Sequence, residues 1–326
     1  MSESFLKPLE SALRGRNEFL KQCESKNTDC YRLFCGEGEG IPGFVVERFG
    51  KTIIFQYHEG SCALSTQQLE SIAQWYGKQF GTTSVYLKKF IPDRSSTSAS
   101  NQYYEDKPFW GDISEALLIC RENGVALEIH PYDGFSTGIF LDQRNNRKYL
   151  QELSSGLRVL NCFSYTCGFS VFCALGKGET TSVDLSRKYL DWGKRNFQHN
   201  RLVAESHQFY AVDVFEQFKK ARKLGKQYDL IILDPPSFSR NHEGKVFSVK
   251  RDLRGLVLEA VSVLESNGIL FVSSNLNSLS SQSLENDVFE ALREAPRKSK
   301  KLNLPPTPTD FIHSENHLSA SCFQVC

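Results

Sequence analysis

The chain has no apolar run approaching the length that crosses a bilayer. Its first eighteen residues are charged and lack the apolar centre of a secretory signal. Together these leave a cytoplasmic protein with no membrane partner as the expectation. Neither sign of charge is in excess: 39 Lys and Arg stand against 38 Asp and Glu, a net charge of +1. The chain as a whole is therefore no polyanion magnet. Its ten cysteines contain no Cys-x-x-Cys, and no histidine pair sits at zinc-finger spacing. No metal is expected, and the thiols are read as reduced, packing as small apolar residues. Gly-x-Gly-x-x-Gly is missing as well, which removes the pyrophosphate turn that a dinucleotide-dependent dehydrogenase needs.

What is present changes character along the chain. The length of 326 residues favours two domains. Residues 5–25 have helical spacing, 44–46 and 52–57 read as strands, 69–80 as a helix and 84–90 as a strand. Residues 31–50 carry several turn signals, and the polar segment 92–112 reads as a loop. Residues 116–129 form a hairpin about Asn123-Gly124. We place a small α+β domain at 1–130 and a catalytic domain at 131–326. The first holds 14 Lys and Arg against 17 Asp and Glu; residues 131–326 hold 25 against 21. The basic runs 219–226 and 297–301 read as solvated faces before they read as nucleic-acid contacts.

In the second region, apolar runs alternate with amphipathic ones. Strands are expected at 158–163, 179–183, 209–212, 228–233 and 269–273, with helices at 169–175, 188–199, 214–223 and 252–264. Repeated βα units with continuously apolar strands predict a doubly wound, mostly parallel sheet covered on both faces. Ligands bind such sheets beyond the carboxyl ends of the strands. The first strand runs into Asn161-Cys162-Phe163-Ser164-Tyr165-Thr166-Cys167-Gly168, a small-residue turn that opens a helix. It suits close backbone approach to a ligand, or is a plain strand-to-helix turn. Asp184, ending the second strand, is placed to accept from ribose hydroxyls, and Asp213, ending the third, from an adenine amino group. Helix N-capping is the structural alternative at both, with Ser186 a rival for the first cap. The fourth strand ends in Asp234-Pro235-Pro236-Ser237-Phe238. Two prolines stiffen this turn and hold the Asp234 carboxylate and the Pro235 carbonyl at the sheet edge, where rigid acceptors orient a planar base.

These residues resemble the bacterial 23S ribosomal RNA methyltransferases. The resemblance runs through Tyr31–Gly50, Glu122-Asn123-Gly124-Val125 and Ser136-Thr137-Gly138-Ile139-Phe140-Leu141-Asp142-Gln143-Arg144-Asn145-Asn146-Arg147, and is densest at 161–166 and 234–238. It implies a Rossmann-like class I methyltransferase domain preceded by a small α+β domain, with S-adenosylmethionine as cofactor and RNA as partner. That RNA is 23S rRNA or a ribosomal precursor particle, and the protein is a monomer or homodimer. Carried over residue by residue, it places Asn161, Phe163, Ser164, Tyr165, Thr166 and Gly168 around the cofactor. Asp184 and Ser186 join them at the ribose and Asp213 at the adenine. Asp142 and Arg144 flank the pocket, and Asp234, Pro235, Pro236 and Ser237 face methyl transfer. Arg144 and Arg147 have surface ion pairing as their structural alternative.

Two positions depart from the family. Cys167 stands where glycine is usual, and either crowds the methionine end of the cofactor or is tolerated. Ser136 stands where lysine is frequent. Many members also carry a PUA-type domain, for which there is no room before Leu33.

Methylation at carbon 5 of a pyrimidine needs a thiolate that first adds to carbon 6. The family's cytosine-modifying members place it just after the fifth strand, where this chain reads Phe271-Val272-Ser273-Ser274-Asn275-Leu276-Asn277 without a thiol. Guanine N7 needs only its own lone pair and positioning, so this ring nitrogen is the preferred target. Cytosine C5 methylation, or a catalytically silent RNA-binding or ribosome-assembly protein, is the alternative.

Overall fold

The computed structural model describes residues 4–90, 107–112, 117–133, 137–240, 244, 246–276, 278–295, 297–313 and 318–326. Ser136, Asn277, Ala116 and most of the expected loop 92–112 lie outside the described residues. The chain divides into two compact units, Met1–Asp142 with Pro308–Glu315, and Gln143–Thr307 with Asn316–Cys326. The contacts thus divide the chain after Asp142, where the sequence reading drew its line after residue 130, and they return a C-terminal segment to the first unit.

The first unit opens with α1 (Lys7–Gly15) and α2 (Asn17–Ser25), one helical stretch interrupted at Arg16. The interruption has a partner: Arg16 is buried and pairs with Glu39. A five-stranded sheet follows in the order β1 (Cys30–Cys35), β2 (Phe44–Phe49), β3 (Thr52–His58), β4 (Ser84–Phe90), β5 (Trp110–Gly111). The parallel pair β3–β4 is joined by α3 (Thr66–Phe80), which starts on a capping box between Ser65 and Gln68. Strand β1 escaped the sequence reading because it does not alternate: five of its six residues are buried. In the hairpin of β6 (Leu118–Glu122) and β7 (Val125–Ile129), Glu122 pairs with Val125. The two residues between them, Asn123 and Gly124, have φ of 50° and 80°, the two-residue turn their sequence demands. In the same unit, ligand-type atoms of Asp29, Cys30 and Cys120 come within 4.8 Å of one another. Both thiols are buried, and Cys30 donates to the Arg121 carbonyl, as a reduced thiol does.

The second unit carries the parallel sheet. After α4 (Arg144–Leu153) come β8 (Arg158–Cys162), α5 (Gly168–Leu175), β9 (Glu179–Asp184), α6 (Arg187–His199), β10 (Gln208–Ala211), α7 (Val214–Lys223) and β11 (Tyr228–Leu233). A short antiparallel hairpin, β12 (Phe238–Arg240) with β13 (Val246–Ser248), precedes α8 (Val249–Val261), β14 (Leu264–Ser274), α9 (Ser281–Glu294), β15 (Ser299–Lys301) and β16 (Ser319–Val325). The sheet order is β10-β9-β8-β11-β14-β16-β15, with β10 to β14 parallel and β16 antiparallel to both neighbours. The chain winds outward from β8 through β9 to β10, then crosses back to β11 on the other side of β8. The order therefore reverses at β8, and the carboxyl ends of β8 and β11 flank the crevice where such sheets bind ligands. Central strands are apolar on both faces, with Val159, Leu160, Leu230, Ile231, Ile232 and Leu233 all fully buried. Among the described residues, no helix is long and apolar enough to cross a membrane.

Candidate functional site

Three left-handed residues shape the turn after β8. Phe163, Tyr165 and Cys167 have φ of 57°, 48° and 61°. Glycine normally occupies such positions, because a Cβ there costs about 1–2 kcal/mol. The turn thus adopts, at alternate residues, the backbone of a glycine-rich loop without its glycines. Each side chain finds a compensating partner. The Phe163 ring lies 5.7 Å from that of Phe247. Tyr165 meets Tyr189 edge-on at 4.6 Å and Trp192 at 6.1 Å, both on α6. Cys167 is fully buried and packs beside Gly193 of the same helix. Its thiol also lies 3.8 Å from Ser164 Oγ. Burial pushes that thiol up to about 12.

Asp184 holds this turn in place. Its Oδ2 accepts from the Tyr165 N–H at 2.8 Å and its Oδ1 from the Ser186 N–H at 2.8 Å. Burial raises the carboxyl above its ordinary value, against the opposing pull of the Ser186, Tyr165 and Leu185 amides. Ser186 is the N-cap of α6, accepting from the Tyr189 N–H at 3.3 Å. Asp213 is the N-cap of α7, accepting from the Phe215 N–H at 2.8 Å. Beside it, Asp213, Phe215, Val246, Phe247, Arg251 and Gly255 line a cavity of about 290 Å³ that Ser239 and Asp252 complete. In β8, the buried Asn161 donates to Ser170 at 2.9 Å, while its Oδ1 finds no hydrogen-bond partner among the described residues. Ser164 and Thr166 are buried in the turn, and Gly168 begins α5.

At the tip of β11, Asp234 Oδ1 accepts from Ser273 Oγ at 2.6 Å and from Gln143 Nε2 at 3.2 Å. Gln143 also donates to Ser273 at 3.0 Å and accepts from Asn146 at 2.7 Å. Burial pushes the Asp234 carboxyl up; the Ser273 hydroxyl, the Arg147 charge and Gln143 oppose this. Pro235 is buried and Pro236 exposed, while Ser237 donates to Asn275 Oδ1 at 3.0 Å. Phe238, next in the chain, is 60% exposed.

Arg144 and Arg147 are both buried, at 5% and 3%, which rules out the surface pairing weighed for them. It is Arg147 whose charge acts on Asp234, with its guanidinium 5.9 Å from the rings of Phe169 and Phe172. Asp142 is the last residue of the first unit before the chain enters the second. Sequence reasoning gave no role at the site to Gln143, Asn146, Ser273 or Phe247. For Gln143 and Asn146 the signal was available, since both lie inside the family-like string 136–147, and Ser273 lies in the stretch 271–277 weighed for a thiol; nothing local marks Phe247.

A turn of glycine-type geometry, a carboxylate at the next strand tip and an unpartnered amide oxygen below them suit an adenosine-bearing cofactor. Comparisons with known proteins agree. The sequence model described as S-adenosylmethionine-dependent methyltransferase matches residues 63–320. Ribosomal RNA large subunit methyltransferase K of Neisseria meningitidis is 30% identical over 320 residues, covering 95% of this chain and 85% of that protein. Ribosomal RNA large subunit methyltransferase I of Escherichia coli is 30% identical over 297 residues, covering 90% and 72%. A chain described as a methyltransferase and solved in complex with SAH is 30% identical, with a TM-score of 0.85, covering 100% of this chain and 82% of that one. The fold is that of a Rossmann-like class I methyltransferase, and the chain belongs to the family of S-adenosylmethionine-dependent methyltransferases.

Proposed function

We propose that this enzyme methylates a base of large-subunit ribosomal RNA, and that the methyl acceptor is guanine N7. The RNA substrate is supported by the names of the Neisseria meningitidis and Escherichia coli relatives, both large-subunit ribosomal RNA methyltransferases. When bound, S-adenosylmethionine supplies an electrophilic methyl group on its sulfonium. Asp184 holds the ribose hydroxyls, and Asp213 with the aromatic-walled cavity beside it holds the adenine. The turn 163–168 and Asn161 would hold the methionine portion. Arg144, at the start of α4, would flank this pocket. Asp234, Pro235, Pro236 and Ser237 form the platform on which the target base rests.

The placement of the thiols carries the choice of atom. Carbon 5 of cytosine becomes nucleophilic only after a thiolate has added to carbon 6. In the second unit, Cys162, Cys167, Cys173 and Cys322 are buried, and burial raises all four. Such desolvated thiols are poor sources of thiolate. The exposed Cys326 follows Val325, which pairs with Gly268 at the amino-terminal end of the central part of β14, the edge opposite Ser273. The burial of these thiols favours an acceptor that needs no thiolate. Guanine N7 has its own lone pair and needs only orientation beside the methyl group.

The test is to incubate the protein with isotopically labelled S-adenosylmethionine and large-subunit rRNA, naked or in ribosomal particles, and to analyse the nucleosides. Labelled 7-methylguanosine is expected. Label in 5-methylcytidine would overturn the choice of atom, and unlabelled RNA under all conditions would overturn the substrate class.

A further inference from the structure

Strands β11 and β14 run parallel with Leu233 beside Val272, so the chains beyond them leave the sheet side by side. Two hydrogen-bonded rungs join those ends. The inner one is Ser273 Oγ on Asp234 Oδ1, and the outer one is Ser237 Oγ donating to Asn275 Oδ1 at 3.0 Å. The outer rung fixes an orientation. With the Asn275 oxygen accepting from Ser237, both hydrogens on its amide nitrogen lack a partner among the described residues. Asn275 is exposed. The inner rung fixes another: Asp234 Oδ1 is taken by Ser273 and Gln143, which leaves Oδ2 for a ligand. The strand tips therefore present one open donor and one open acceptor, each held by the hydroxyl of a serine from the opposite strand end.

We propose that Asn275 reads the target base, its amide donating to the exocyclic carbonyl oxygen while Asp234 Oδ2 accepts from the adjacent ring N–H. This inference rests on the methylation of an RNA base argued above and names the residue that selects it. A donor beside an acceptor complements the keto–imino edge of guanine or uracil. Adenine and cytosine, placed the same way round, present an amino group to the amide and a bare ring nitrogen to the carboxylate, so both contacts become repulsive. Of the two bases accepted, only guanine has a ring-nitrogen lone pair next to that carbonyl. Ser237 is a positioning residue in this arrangement, acting through Asn275.

The test uses the full chain, first to identify the guanine it modifies, then RNA carrying 2-aminopurine at that position. This base retains N7 but lacks the 6-oxo group. Asn275→Ala is expected to lower kcat/KM on guanine about 10-fold, with the melting temperature and the affinity for S-adenosylmethionine unchanged. Wild-type enzyme is expected to discriminate against 2-aminopurine more strongly than Asn275→Ala does, because the variant has already lost one of the contacts that the analogue removes. Asn275→Asp, which turns the donor into an acceptor, is expected to be worse than alanine. Equal discrimination by wild type and Asn275→Ala would overturn the role of Asn275 while leaving guanine methylation standing. If the modified nucleotide is not guanine, the underlying reading fails instead.

Discussion

The sulfur of Cys167 fills the space that a Cβ on Gly193 would need: that carbon would lie 2.3 Å from Sγ and 2.8 Å from Cβ of Cys167. A thiol at a left-handed turn residue and a glycine inside α6 are thus one packing unit. Gly193→Ala is expected to destabilise the protein by about 1–3 kcal/mol through overpacking, although alanine alone is the better helix former. In a Cys167→Gly background the clash is gone, and the same substitution should be close to neutral or stabilising. Thermal denaturation of the four proteins in a double-mutant cycle measures this, with a coupling of about 1–3 kcal/mol expected. Additive effects would show that the two sites do not share the space.

Asp184 is tied to two backbone amides, of Tyr165 in the turn after β8 and of Ser186, and the proposed ribose contact adds charge-assisted hydrogen bonds. Asp184→Ala is expected to weaken S-adenosylmethionine binding by about 100-fold or more, at about 1.5–3 kcal/mol per bond to a charged group. Titration calorimetry reads it directly. Since burial raises this carboxyl, wild-type affinity should fall on acidification before an ordinary carboxylate would protonate.

Asp234 links activity to stability with opposite signs. Burial raises its folded-state value above that of the unfolded chain. Its contribution to stability is therefore complete below the ordinary carboxylate value and is lost as the pH rises through the folded-state value. Asp234→Asn, which keeps an oxygen to accept from Ser273 and Gln143, should raise the melting temperature at neutral pH and remove that loss. The same variant should lower kcat about 100-fold or more, because the base would lose the acceptor proposed for it. Melting curves across pH and single-turnover rates test both halves. A variant less stable at neutral pH than wild type would refute the sign.

The first unit has its own sensitive point in the buried Arg16–Glu39 pair, whose side chains are 8% and 9% exposed. Glu39 also accepts from the Cys35 N–H at 2.7 Å, and Arg16 donates to the Arg32 carbonyl at 3.2 Å. Glu39→Ala strands a buried cation and should cost about 3–5 kcal/mol. Chemical denaturation measures the cost. Replacing both partners with apolar residues of similar volume should recover much of it.

By itself, the sequence determined the alternation of strand and helix from Arg158 to Leu233, because buried parallel strands require continuous apolar runs and their covering helices an amphipathic period. It also marked the residues at the strand tips, since Asp-Pro-Pro and single carboxylates stand out against those runs. Only the tertiary structure decided how these residues are held. The hairpin Phe238–Arg240 with Val246–Ser248 and the strand Ser319–Val325 take their pairing from partners far off in the chain, which no local pattern records. The glycine-like turn was hidden for the same reason. Phe163, Tyr165 and Cys167 are unsuited to left-handed backbone when considered one at a time, and it is packing against Phe247, Tyr189, Trp192 and Gly193 that holds them there. Gln143 and Ser273 lie 91 and 39 residues from Asp234, and only the closed sheet brings them to its carboxylate.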